Sequence, residues 1–281
     1  MEHYFGAHYD YINLIESAEN IKKAGGNLIQ IFLTLPGTIK IAEKTQKDLN
    51  DFKSYLQSNN MKVVVHSAYI HNIARAWDTH SWWLLNLKLE IKYAYEIGAI
   101  GVVLHIGKQL DLSVEEAYNN MYTFLIHLHN QTLEYKNIII MLETSTGQGS
   151  EMCYQLEDLA YFYKKFSKNI NKELKNRIKL CVDTCHIFAS GYDIRTKSTV
   201  KSYLEAFEEL IGLRHIRLIH LNDCKVNLGG QRDRHDNIGK GYIGLKGLEY
   251  FYKYFKGLNV PVVLETPDFG YRTEIKLLKN I

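Results

Sequence analysis

A single parallel (β/α)8 TIM barrel is the fold this sequence predicts, and three observations predict it. Eight short runs rich in Val, Ile and Leu recur along the 281 residues, amphipathic stretches separate them, and no low-complexity linker or break in composition divides the chain. The runs are apolar almost throughout, as strands of a parallel sheet covered on both faces must be. Taken in order, Tyr4–His8 is the first strand and Ile12–Ala24 the helix after it. Leu28–Leu33 is the second strand and Val63–Ser67 the third, followed by a helix over Ser81–Ile97. Gly101–Ile106 leads into Ser113–Leu133, where Ser113 and Glu116 stand in capping-box spacing. Ile138–Glu143 is followed by Leu156–Phe166, Ile178–Asp183 by Val200–Leu210, and Ile216–Leu221 by Leu245–Phe255. Pro261–Glu265 is the eighth strand, and no helix after it is plain from the sequence. The longest irregular connections, Tyr69–His80, Thr144–Tyr154, Ile187–Ser198 and Asn222–Gly244, all follow strands, so they fall on the C-terminal face where such barrels build their sites. One domain spanning residues 1–281 is expected.

The composition, 46% apolar and 23% charged with a net charge of +3, is that of a soluble globular protein with a mild basic excess. The excess is compatible with a nucleic-acid partner, although dedicated DNA-binding modules are usually more basic. No run approaches the roughly 20 apolar residues a membrane helix needs, and MEHYFGAHYD lacks the basic and apolar regions of a signal peptide. The expectation is an intracellular, non-secreted monomer with no membrane association. Cys153, Cys181, Cys185 and Cys224 show no disulfide-framework spacing, so reduced thiols are expected.

Nine potential metal ligands lie at or just past the ends of six apolar runs: His66, His105, Glu143, Asp183, His186, His220, Asp233, His235 and Glu265. Neighbouring parallel strands that end this way converge on one mouth of the barrel. A single His at a strand end is more often an ordinary core residue, but that reading weakens when strands three to eight all end in a ligand type. Burying these groups together without a cation would leave unpaired charge and large desolvation costs. Five imidazoles with four carboxylates suit Zn²⁺, with Mn²⁺ or Fe²⁺ also compatible. They supply enough donors that Cys181, Cys185 and Cys224, although adjacent, are read as core thiols. Four carboxylates carry about four negative charges against about six positive for three divalent ions with neutral imidazoles. The pocket would then be net positive and suited to a phosphodiester and the added charge of its transition state.

The segments carrying these residues resemble one family. His66, His105, ETSTGQGS from Glu143, DTCHIFASGYD from Asp183, HLNDCK from His220, DRH at Asp233–His235, IGKGYIG after it and LETP around Glu265 are similar, in order and spacing, to the endonuclease IV family of apurinic/apyrimidinic endonucleases. The resemblance implies a trinuclear Zn²⁺ site in the barrel mouth. Glu143 would bridge two ions, His66 and His105 would complete the first, and Asp183, His220 and Glu265 would hold the second. His186, Asp233 and His235 would hold the third. The reaction implied is hydrolysis of the phosphodiester 5′ to an abasic site in double-stranded DNA, leaving a 3′-hydroxyl for base excision repair, together with trimming of blocked 3′ ends. Glu265 or Glu143 would be catalytic by orienting the attacking hydroxide. Tyr69 and Ile70 match the aromatic and apolar side chains that the family inserts into the DNA stack, where they would help extrude an abasic nucleotide. Gln148 matches the family's GQG loop and is expected to touch DNA.

Some positions depart from the family pattern. LTLPGTIKIAEK after the second strand lacks the expected arginine, and Lys40 is open between a substitute phosphate contact and, more commonly for such a residue, an ordinary solvated lysine. HIG at His105–Gly107 replaces HPG, and His71 stands close behind Tyr69. Arg195, Arg232, Arg234 and Lys240 lie on site-face loops and are candidates for phosphate contacts. His8 is open between hydrogen-bonding a ligand or phosphate and a structural role, and His127 and His129 carry no assignment. Two rival readings accompany this one. A single-metal sugar isomerase or epimerase would need only Glu143, Asp183, His220 and Glu265, leaving five ligands without a task. A non-enzymatic damage-binding protein would keep the metal for structure alone.

Overall fold

Alternate residues of a strand point to the same side, and that rule sets both the core and the site of this protein. The computed structural model describes residues 3–9, 13–35, 40–41 and 44–281. In chain order its strands are β1 (Phe5–His8), β2 (Leu28–Phe32), β3 (Lys62–His66), β4 (Gly101–His105), β5 (Ile139–Glu143), β6 (Ile178–Asp183), β7 (Ile216–His220), the two-residue β8 (Asp223–Cys224) and β9 (His235–Asp236), and β10 (Val262–Leu264). β1 to β7 and β10 close into a parallel barrel, with β10 returning to β1.

Leu28, Val64, Val103, Met141, Cys181, Leu218 and Val263 form one buried cluster inside the barrel. Their neighbours, such as Ile29, Val65, Leu104, Leu142, Val182, Ile219 and Leu264, belong to the larger outer core beneath the helices. Two residues beyond each interior member, about 6.6 Å further along the strand, stand Gln30, His66, His105, Glu143, Asp183, His220 and Glu265. The candidate site is therefore the next layer of barrel packing, made polar.

The outer shell comprises α1 (Leu14–Ala24), α2 (Gln46–Ser58), α3 (Trp82–Glu96), α4 (Val114–Gln131), α5 (Leu156–Ser167), α6 (Lys172–Arg177), α7 (Thr184–Ala189), α8 (Lys197–Leu210), α9 (Leu245–Gly257) and α10 (Tyr271–Lys279). The expected barrel and its strands are borne out, and the Ser113–Glu116 capping box opens α4. Ile12, the expected first residue of the first helix, and residues 36–39 and 42–43 of the loop after β2 lie outside the described residues. A helical stretch is expected after every strand but the last, yet the sequence places neither α2 nor α10. α2 buries only Leu49, Phe52 and Leu56, too narrow a stripe to read from periodicity. Its signal is the capping box, in which Thr45 Oγ1 accepts from Asp48 N–H at 3.1 Å and the Asp48 carboxylate from Thr45 N–H at 3.0 Å. α10 corrects the expectation that no clear helix follows the eighth strand. Its buried stripe contains Glu274, which breaks the apolar pattern because its carboxylate is used to accept from Ile238 N–H at 2.7 Å and from the Thr266 hydroxyl.

Beneath the loop after β3, Glu90 and His71 are both buried, and at 3.9 Å they are too far apart to hydrogen-bond. Burial pushes the Glu90 carboxyl up to about 8, and burial, with some repulsion from His66, pushes His71 down to about 4. A carboxyl that keeps its proton only in the folded chain adds stability in full below its ordinary value of 4.5, and that contribution is lost as the pH rises to about 8. Glu90→Gln, neutral at every pH, is therefore expected to melt roughly 5 °C or more above wild type at pH 8.5 and to lose that advantage near pH 5. Thermal unfolding followed across that range checks it.

Candidate metal centre

β3, β4 and β5 deliver His66, His105 and Glu143 side by side. Glu143 Oε2 lies 3.2 Å from His66 Nε2 and 2.9 Å from His105 Nε2. Its Oε1 lies 2.7 Å from Nδ1 of His220, on β7. One carboxylate thus divides its two oxygens between two sets of imidazoles, which is the geometry of a bridge. β6 ends in Asp183, which also caps α7: Oδ1 accepts from His186 N–H at 2.9 Å. The turn that follows sets His186 on the same side as its cap. Asp183 Oδ2 faces His235 Nε2 at 3.5 Å, and Glu265 Oε2 faces His220 Nδ1 at 3.1 Å.

Asp233 and His235 reach the mouth by a different route. β8 and β9 pair antiparallel, matching Cys224 with His235, and fold the segment after β7 back over the barrel. The Asp223 carboxylate anchors that fold by accepting from the N–H groups of Cys224, Gly239 and Ile243 at 2.8, 2.9 and 2.9 Å. His186 Nε2 and His235 Nε2 then meet Asp233 Oδ1 at 3.3 and 3.2 Å. All nine candidate ligands gather at one mouth, several of them in triads close enough to share an ion.

The protonation pattern tests whether a metal fits. His66, His186 and His235 each point Nδ1 at a backbone carbonyl, of Ser67 at 2.7 Å, Thr144 at 2.7 Å and Glu265 at 3.3 Å. A carbonyl only accepts, so Nδ1 carries a proton, and whenever the ring is neutral Nε2 presents a bare lone pair to carboxylate oxygens. Among the described residues the buried Nε2 atoms of His105, His186 and His235 find carboxylate oxygens nearby but none in hydrogen-bonding geometry. Lone pair facing lone pair is repulsive unless a cation lies between. Donors bound to one tetrahedral zinc at their usual lengths stand about 3.3 Å apart, close to the 2.7–3.5 Å separations here. The residues fit a metal.

Electrostatics agree. Burial raises the Glu143 carboxyl, but the imidazoles of His220 and His105 outweigh it and hold the group well below the ordinary range. Burial lowers His186, but Asp183 and Asp233 carry it well above its usual value. The mouth holds positive charge tightly, as protons or as metal, so metal affinity should weaken as the pH falls. Cys181 and Cys185 lie within reach of two donor groups. Burial holds the Cys181 thiol up at about 12, and contact with Cys224 together with burial raises Cys185, so both stay protonated, as expected of core thiols.

Tyr69 and Ile70 stand on the rim, 54% and 47% exposed, with the Tyr69 ring 5.2 Å from His66 and 5.1 Å from His105. With Gln148, Lys108 and Arg234 they line an open groove of 480 Å³ beside the candidate ligands. Gln148 Oε1 accepts from Asp233 N–H at 3.2 Å, so this residue also braces the loop that carries Asp233. Arg195 is tied to Asp193 at 3.0 and 2.8 Å, which competes with a phosphate role. Sequence reasoning misses two residues. Asn222 Nδ2 donates to Asp183 Oδ2 at 2.6 Å and Glu265 Oε2 at 3.2 Å, holding both carboxylates. Gln30 meets Glu265 and His220, and its signal is one polar residue inside the run LIQIF, two positions past interior Leu28. His8 Nδ1 lies 3.2 Å from Gln30 Nε2, so its contact is with a residue that holds the candidate ligands.

The AP endonuclease 2 family model, described as a xylose isomerase-like TIM barrel, matches residues 18–281. A protein of Petrotoga mobilis named "Probable endonuclease 4" is 34% identical over 264 residues, covering 92% of this chain and 89% of its own length. The chain belongs to the endonuclease IV family. The solved endonuclease IV of Thermus thermophilus superposes with a TM-score of 0.82 at 20% identity, over 99% of this chain and 98% of that one. A xylose isomerase domain protein of Planctomyces limnophilus superposes with a TM-score of 0.67 at 16% identity, over 100% and 97%. At these identities the superpositions report the barrel alone, and function rests on the site. The endonuclease IV family is one of metal-dependent, DNA-hydrolysing enzymes, and the donor triads of this member match that dependence. Among its described residues no helix is long and apolar enough to cross a membrane.

Proposed function

We propose that this endonuclease IV homologue is a zinc enzyme that hydrolyses the phosphodiester 5′ to an abasic site in duplex DNA, leaving a 3′-hydroxyl, and trims blocked 3′ ends at the same site. The observation that carries the reading is the convergence of imidazole lone pairs on shared carboxylates, Glu143 above all. In the proposed assignment Glu143 would join two ions. His66 and His105 would complete the first, Asp183, His220 and Glu265 would hold the second, and His186, Asp233 and His235 would hold the third. Bound zinc would supply neutralising charge for the phosphate and an acidified water. Glu265 would orient the nucleophile, with Gln30 and Asn222 fixing its carboxylate. Tyr69 and Ile70 would fill the gap left when the abasic nucleotide swings out, and Arg232, Arg234 and Lys240 would meet backbone phosphates. A monomeric, intracellular enzyme is part of this reading.

A duplex carrying one tetrahydrofuran abasic analogue tests it. Incision immediately 5′ to the analogue with a 3′-hydroxyl product is expected, and an intact duplex beside a turned-over ketose would favour the sugar isomerase instead. Tyr69→Ala is expected to slow that incision roughly 10- to 100-fold, since a wedge offsets a few kcal/mol of unstacking. Removal of a 3′ phosphate at a nick should change far less, because a strand end needs less extrusion. Equal losses on both substrates would place Tyr69 in general site packing.

A further inference from the structure

Gln30 is fully buried, and each polar group of its side chain has a defined partner. Its Oε1 lies 2.8 Å from His220 Nε2, and its Nε2 lies 2.6 Å from Glu265 Oε1 and 3.2 Å from His8 Nδ1. A carboxylate can only accept, so the amide must turn its NH₂ toward Glu265 and its oxygen toward His220. That oxygen can only accept in turn, so His220 carries its proton on Nε2. In the neutral ring His220 Nδ1 is then left bare for a cation, 2.7 Å from Glu143 Oε1 and 3.1 Å from Glu265 Oε2. The pattern is opposite to that of His66, His186 and His235, which expose Nε2 because backbone carbonyls hold Nδ1–H. Backbone geometry fixes those three tautomers, whereas a side chain fixes that of His220.

We propose that Gln30 is a positioning residue for the second metal. It locks His220 as the Nε2–H tautomer and grips Glu265, so that Nδ1 of one and Oε2 of the other face a single cation. The proposal rests on the metal reading of the mouth. Residue 30 thereby controls how long that ion stays, without touching it.

The test compares zinc-loaded wild type with Gln30→Leu and Gln30→Glu. Gln30→Leu removes both contacts, while Gln30→Glu keeps an acceptor for His220 and replaces the donor to Glu265 with a second negative charge. Zinc content is measured by elemental analysis, zinc release by a chromogenic chelator, and the His220 ring proton by ¹⁵N–¹H spectra. Wild type should show a slowly exchanging His220 Nε2–H. Gln30→Leu should lose that signal and release one ion at least tenfold faster, and Gln30→Glu should keep the signal yet release the same ion faster. Wild type with His220 protonated on Nδ1 overturns the proposal, and this outcome needs no variant to fold. Release rates in both variants equal to wild type overturn it as well. Wild type that retains fewer than two zinc ions per chain marks failure of the metal reading itself, seen before any variant is compared.

Discussion

Glu143→Gln is expected to strip zinc from the first two positions and to lower incision at least about a thousandfold. The substitution keeps the shape of the side chain and exchanges one acceptor oxygen for an NH₂ that cannot bind a cation. Among the described residues no other does what Glu143 does: its two oxygens lie within 3.2 Å of imidazole nitrogens on β3, β4 and β7. With the charge gone, three imidazoles lose their common anion in a buried setting, where removing one partner of a charged pair costs about 3–5 kcal/mol. His186, Asp233 and His235 do not depend on it for their closest contacts, so one ion per chain should remain. Elemental analysis read beside the incision rate checks both parts, with circular dichroism reporting the fold. Three retained ions would remove the bridging role.

Glu265→Gln is expected to be nearly as damaging to rate and much milder to metal content. Incision should fall by about two to four orders of magnitude in kcat, with abasic-duplex binding largely kept, the pattern of an interaction made chiefly in the transition state. Glu265 lies at the end of β10, and its side chain is held from two sides, by Gln30 at Oε1 and by Asn222 at Oε2. Its backbone N–H also donates to Asn222 Oδ1 at 2.7 Å, so the strand end should stay in place when the charge is removed. At most one ion should be lost. Steady-state kinetics with a binding titration separate the two effects, and wild-type kcat in the variant would remove Glu265 from the mechanism.

The contrast between these variants reflects what a sequence makes visible. His66, His105, Glu143, Asp183, His220 and Glu265 are legible because each ends an apolar run, and the strand repeat carries the interior layer into the site two residues later. Asp233 and His235 obey no such repeat. His235 opens a two-residue strand too short to show a period and Asp233 lies in the loop just before it, and only the likeness of DRH to a family pattern points to them. Gln30 obeys the repeat but is overlooked because an amide is not a usual ligand type. Its role appears only once the distances to His220 and Glu265 are known. α2 and α10 stay hidden for a related reason: one has a thin apolar stripe, and the other buries a glutamate that serves the loop beside the site. The proposed wedge role of Tyr69 and Ile70 comes from their match to the family pattern just past β3, while the packing of Glu90 and His71 beneath them does not follow from any local pattern.

The most direct test of the central claim is anomalous diffraction at the zinc edge from crystals of the zinc-loaded protein. Three peaks are predicted, each about 2.0–2.2 Å from its donors: one among His66, His105 and Glu143, one among Glu143, Asp183, His220 and Glu265, and one among His186, Asp233 and His235. A single peak, or peaks with the His66–His105 and Asp233–His235 donors turned away from them, would contradict the account.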